Sequence, residues 1–149
     1  MRPQKSNLLL ENYFTTEINC KANINFDVGK GHCLDIDQLT IDSNILAGKK
    51  KSDGWQVTLT VFHQPTETSN SPYAFRVVLV GFFNVDKNYP KTKAEWLVKT
   101  NASSVLYSIA RELLRKAMQD GPWAPVLLPT VSFYTDEMKA ELKTLESKQ

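Results

Sequence analysis

With 149 residues, 42% hydrophobic and 23% charged, the chain has the composition of an ordinary globular protein long enough for one core. A formal net charge of +2 points to no strong electrostatic partner and argues against a nucleic-acid binder. Two cysteines, Cys20 and Cys33, are too few for a disulfide scaffold, so a reducing, cytoplasmic setting is expected.

One domain over residues 1–149 is the expectation. The N-terminal MRPQKSNLLLENYF has only three consecutive leucines before a Glu, which suits neither a signal peptide nor a membrane span. From Asn7 to Phe26 the pattern predicts a long strand. Ile18, Cys20, Ala22, Ile24 and Phe26 alternate with polar residues, as when one face meets a core and the other water. A weaker strand is predicted from Cys33 to Ile41, where the apolar phase slips between Ile36 and Leu39; the slip fits a bulge or an edge strand. Lys49-Lys50-Lys51, between Gly48 and Gly54, reads as a solvated loop. Trp55 to His63 alternates cleanly. Tyr73 to Val85 is apolar on both faces, as an inner strand would be, and Gly81 within it signals a bulge or a close backbone approach. Ala94 to Val98 reads as a short helical turn, and Thr135 to Leu145 as a last amphipathic helix.

The residues from Thr100 to Phe133 organise the rest. Thr100, Asn101, Ser103 and Ser104 have the side chains of a helix start, and an apolar stripe follows from Val105 to Met118. The stripe is wider than one core face needs. Gly121-Pro122 stops the helix, and Pro125 to Phe133 forms an extended strap broken by Pro129. Four strands followed by helices give an α+β fold: a four-stranded antiparallel sheet with a long helix and a C-terminal helix on one face.

Chemistry is sparse. His32, Cys33, Cys20 and His63 form no metal-ligand spacing and no triad, and no phosphate loop, dinucleotide fingerprint or nucleophile elbow is present, so no cofactor, no metal and no enzyme activity are expected. Asp35 and Asp37 read as a solvated pair on a strand. Arg111 and Glu112 are helix neighbours and cannot pair along one face; they read equally well as an ordinary exposed pair or as a site where Arg111 meets a partner across a subunit boundary. Excess apolar surface without catalytic groups points to a binding or assembly module.

The organising stretch resembles the SecB family of export chaperones. Leu106, Tyr107, Ala110, Arg111 and Glu112 match the family's helix pattern, Leu127, Pro129, Val131 and Phe133 its strap, and Gly81 and Phe83 the preceding strand. The resemblance implies an ATP-independent holdase that binds unfolded polypeptides in hydrophobic grooves. It also implies a tetramer, a dimer of dimers, joined by the long helices through Leu106, Tyr107, Ile109, Arg111 and Leu113. By position, Ile24, Phe26 and Val28 of the crossover and Met138, Leu142 and Leu145 of the last helix become client-binding candidates. The crossover is shorter than the family's and lacks its Pro and Trp. Acidic family residues that dock the SecA motor fall on Lys21 and Arg76, which makes SecA a doubtful partner. Some relatives guard a single antitoxin, the narrower alternative; a non-chaperone oligomeric assembly protein is another.

Overall fold

The alternating segments pair into one antiparallel sheet. Strands β1 (Leu8–Ala22), β2 (Thr40–Ala47), β3 (Trp55–His63) and β4 (Tyr73–Val85) lie in the order β1-β4-β3-β2, so the doubly apolar β4 is an inner strand, as its composition requires. The computed structural model describes residues 1–48 and 54–148; the lysine run at 49–51 lies outside the described residues.

β1 stops four residues before the predicted end. Asn23 turns the chain there, its N–H donating to Pro72 O at 2.8 Å and its side-chain oxygen accepting from Asn25 N at 3.0 Å. Two register shifts, between Leu10 and Asn12 and between Thr15 and Glu17, leave Glu11 and Thr16 unpaired. They reset the alternation, so Leu10, Tyr13, Thr15, Ile18, Cys20 and Ala22 all share the face of Phe75, Val77 and Leu79. β2 lies later than predicted. The slipped phase belongs to a 3-10 turn at Ile36–Gln38, where Gln38 Oε1 accepts from Asp35 N at 2.9 Å, so Asp35 and Asp37 sit in a turn rather than on a strand.

Helix α1 (Lys91–Leu97), a π turn at Val98–Ala102 and helix α2 (Ser103–Gln119) form one run of 29 residues. Hydroxyls expected to cap a helix start lie inside it instead. Thr100 Oγ1 donates to Trp96 O at 3.1 Å and Ser104 Oγ to Thr100 O at 2.9 Å, back-bonds that satisfy the hydroxyls within the widened turn. Helix α3 (Asp136–Ser147) is capped by Thr135, whose side chain accepts from Met138 N at 3.3 Å.

The core lies between β3–β4 and α2. Val57, Val61, Val77 and Leu79 face Leu106, Ala110, Leu114 and Met118, all fully buried. Burial of each large aliphatic side chain contributes about 1.5–3 kcal/mol. Gly81 lets the helix approach: a Cβ there would lie 2.7 Å from Phe83 Cε2 and 2.8 Å from Leu106 Cδ2. Beyond α2 the strap (122–135) is held by side chains. Tyr107 Oη donates to Pro129 O at 2.6 Å, Tyr73 Oη donates to Trp123 O at 2.7 Å, and Leu128 is buried. Among the described residues no backbone group from 124 to 133 pairs with another backbone group. Gly81→Ala is expected to lower the unfolding free energy by about 1–3 kcal/mol through overpacking, read by urea denaturation at fixed protomer concentration; unchanged stability would mean that Leu106 does not fill the gap.

Candidate functional site

The crossover from Asn23 to Leu34 is docked through its polar groups and its aromatic side chain. Asn70 accepts from Asp27 N at 2.9 Å and donates to Asp27 O at 2.8 Å, while Trp123 Nε1 donates to Asn23 O at 2.8 Å. Phe26 is half-buried, wedged edge-on between Trp123 and His32 at centroid distances of 5.3 and 6.4 Å. Ile24 and Val28 differ: they are 83% and 66% exposed. Of the three crossover candidates Phe26 anchors the loop, and the other two face outward.

Met138, Leu142 and Leu145 form a half-buried stripe on α3. Met138 meets Ser43, Ile45, Ser103 and Phe133 around a cleft of about 390 Å³. Lys93 Nζ, 3.7 Å from Glu146 Oε1, ties the far end of α3 to α1. The crossover lies at the Tyr73 end of the sheet and the last turn of α3 toward the Val85 end, and the strap joins the two regions, Trp123 bonding the crossover and Phe133 lining the cleft at Met138.

The helix candidates point in different directions. Leu106 and Tyr107, 0% and 3% exposed, fill the chain's own core and present no surface to a second copy; this corrects their expected place at an interface. Ile109 and Leu113 are half-buried and share a flank with exposed Val105, turned away from the strap. That flank faces β1, whose Leu10, Tyr13 and Ile18 are 37%, 42% and 47% exposed on the helix side. On the outer side exposed Phe14 and Phe82 pack at 5.8 Å. Sequence reasoning missed this apolar edge because the bulges hide its common face. Arg111 lies on the strap side, about 160° round the helix from Ile109, and Glu112 pairs with Arg115 at 2.8 Å.

Lys21 and Arg76 share the outer sheet face. Arg76 Nε is 3.0 Å from Glu17 Oε2 and its guanidinium lies 5.4 Å over the Phe62 ring, so its charge is already engaged. His63 is satisfied: Nδ1–H donates to Gln38 O and Nε2 accepts from Ser71 Oγ, both 2.9 Å. Burial pushes the Cys20 thiol up, away from the reactive thiolate. Among the described residues no three metal-ligating side chains cluster, and no helix is long and apolar enough to cross a membrane.

A family model described as preprotein translocase subunit SecB matches residues 35–140. The chain belongs to the SecB family. It is 27% identical over 108 residues to a protein-export protein SecB of Bradyrhizobium diazoefficiens, covering 70% of this chain and 66% of that protein. Over 95 residues it is 27% identical to a SecB of Nitrobacter hamburgensis, covering 64% and 59%. Its match therefore spans less than two thirds of either relative. In fold it is similar to a SecB-like chaperone of Mycobacterium tuberculosis solved with an antitoxin peptide, at TM-score 0.57 and 11% identity over 85% of this chain and 91% of that one. A Streptococcus agalactiae protein of unknown function matches at TM-score 0.51 and 13% identity, covering 83% and 97%. The SecB-like motif residues have clear physical tasks here: Leu106 over Gly81, Ala110 against the sheet, Tyr107 on Pro129 and the Phe133 ring 6.0 Å from Tyr107.

Among the described residues His32 Nε2 is buried without a hydrogen-bond partner, and burial lowers the ring's pKa below the ordinary 6.5. Protonation thus favours the unfolded chain first as pH falls, and stability present above about 6.5 is lost below it. Urea midpoints between pH 7.5 and 5 should fall in the wild type and flatten in His32→Gln; parallel curves would remove His32 as the cause.

Proposed function

We propose that this SecB-family chain is an ATP-independent chaperone that holds non-native polypeptides, in the cytoplasm and in the service of protein export. One observation carries this: aliphatic side chains stand exposed on docked segments outside the sheet and helices, Ile24 in a turn and Val28 in a 3-10 turn of the crossover, Ile36 in the 3-10 turn beyond it and Leu127 on the extended strap. Such a row gives an unfolded chain many shallow apolar contacts with little sequence selectivity. The family and the relatives named protein-export proteins point the same way. The reading is of a binding protein and assigns no catalytic residue. Ile24 and Val28 would meet the client at one end, and Met138, Leu142 and Leu145 at the other, with Phe26 holding the crossover in place.

A narrower reading, one dedicated client such as an antitoxin, is favoured by the structural neighbour with its antitoxin peptide. SecA has no assigned place: Lys21 reverses the expected acidic charge, and Arg76 is engaged by Glu17.

Self-association belongs to the same proposal. β1 is a 15-residue edge strand, apolar on its helix side with Phe14 exposed on the outer one, beside the Val105–Ile109–Leu113 flank. Pairing of two β1 edges would cover it, and two such pairs would make the tetramer. Ile18→Lys is expected to shift the sedimenting species toward the monomer; an unchanged assembly would place the interface elsewhere.

The direct test is aggregation of two unrelated unfolded substrates without nucleotide. Wild type should suppress both, while Ile24→Asp and Leu142→Asp lose most of the effect with unchanged melting curves. Failure on both substrates would end the general-chaperone reading, and tight binding of one short segment alone would establish the dedicated one.

A further inference from the structure

A second cleft, of about 350 Å³, opens between the strap side of α2 and the strap itself. Ser108, Arg111 and Arg115 form one wall, and Pro125 to Leu128 the other. Its charges are unevenly committed. Glu112 accepts two hydrogen bonds from Arg115, at 2.9 and 2.8 Å, and that guanidinium holds its carboxyl below the usual range. Arg111 is half-buried, and among the described residues it has no carboxylate within 4.0 Å. A partly desolvated guanidinium without an anion loses hydration that nothing restores, and its planar fork suits one carboxylate.

The opposite wall is apolar, and its main chain is only partly engaged: Val126 N donates to Met118 Sδ at 3.3 Å and Pro125 has no N–H, while Leu127 N has no partner among the described residues. Leu127 is 78% exposed while its neighbour Leu128 is buried, so the strap presents one aliphatic side chain outward beside the guanidinium. The strap's backbone groups from 124 to 133 have no backbone partner among the described residues, and apart from Val126 N and Pro129 O, which side chains engage, they stand open to an extended chain laid alongside. Arg111 also lies on the opposite flank of α2 from Ile109 and Leu113, so the cleft stays clear of the surface assigned to self-association.

We propose that this cleft seats an extended peptide bearing an acidic side chain beside an aliphatic one, the carboxylate on Arg111 and the aliphatic group on Leu127. The proposal rests on the client-binding reading and deepens it, by naming the class of segment bound: acidic residues embedded in apolar sequence rather than apolar sequence alone. Arg111 then sets register, because a bidentate pair fixes position where aliphatic contacts slide.

The experiment uses the full chain and two fluorescein-labelled ten-residue peptides of leucine, valine and serine, identical except for one central Asp or Asn. Fluorescence anisotropy should show wild type binding the Asp peptide roughly fivefold more tightly. Arg111→Gln should equalise the two peptides without moving the melting midpoint or the sedimentation profile. Leu127→Ser should weaken both peptides alike. Equal binding of the twins by wild type overturns the proposal, as does an Asp preference that survives in Arg111→Gln. A changed sedimentation profile in Arg111→Gln also overturns it, since Arg111 would then join copies of the chain. Absence of an Asp preference in the wild type while aggregation is still suppressed defeats this inference alone; failure of the wild type to bind either peptide or to suppress aggregation defeats the chaperone reading with it.

Discussion

Leu106 seated in the gap above Gly81 is the contact on which the rest depends. With any side chain at residue 81 the helix would stand off from β4, because a Cβ there falls within 2.8 Å of both Phe83 and Leu106 atoms. The close approach sets the height of the next residue, Tyr107, whose hydroxyl reaches Pro129 O. Pro129 in turn belongs to the same strap as Trp123, and Trp123 bonds both Tyr73 and the crossover carbonyl of Asn23. One absent methyl group is thus connected, through four contacts, to the loop that displays Ile24 and Val28. The strap needs this chain of side-chain bonds because it has no ladder to hold it.

Much of this was legible in the sequence, and the exceptions share a cause. β3 and β4 match their predicted bounds because a covered face along their whole length keeps the two-residue period intact. β1 lies at the edge, where α2 covers it only in part, so bulges interrupt its period, and the apolar Leu10–Ile18 face is visible only when the register is known. The start of the long helix was misread for a different reason: Thr100 and Ser104 carry capping side chains, but the same hydroxyls can bond back to carbonyls four residues earlier, and tertiary packing decides between the two.

The site was legible in part. Helix and strap residues that carry the SecB resemblance do lock together, yet their directions could not be read from a wide apolar stripe. Leu106 and Tyr107 point into the core, Ile109 and Leu113 toward β1, and Arg111 toward the strap. Charge showed a similar limit. Arg76 looks like a repulsive cation in the sequence, whereas Glu17, on the neighbouring strand, and the Phe62 ring engage it. Pairings of this kind depend on strand register, which residue types alone do not specify.

The separation of crossover and α3 has a consequence of its own. β4 takes thirteen residues to pass from Tyr73 to Val85, about 40 Å at the usual strand rise. An extended polypeptide laid along the whole of β4 must itself be about a dozen residues long. A helix of the same residue count would reach less than half as far. Spanning the length of β4 therefore takes roughly twice as many residues in a helix as in an extended chain, so the same stretch of sequence covers both ends of this surface only while it is uncoiled.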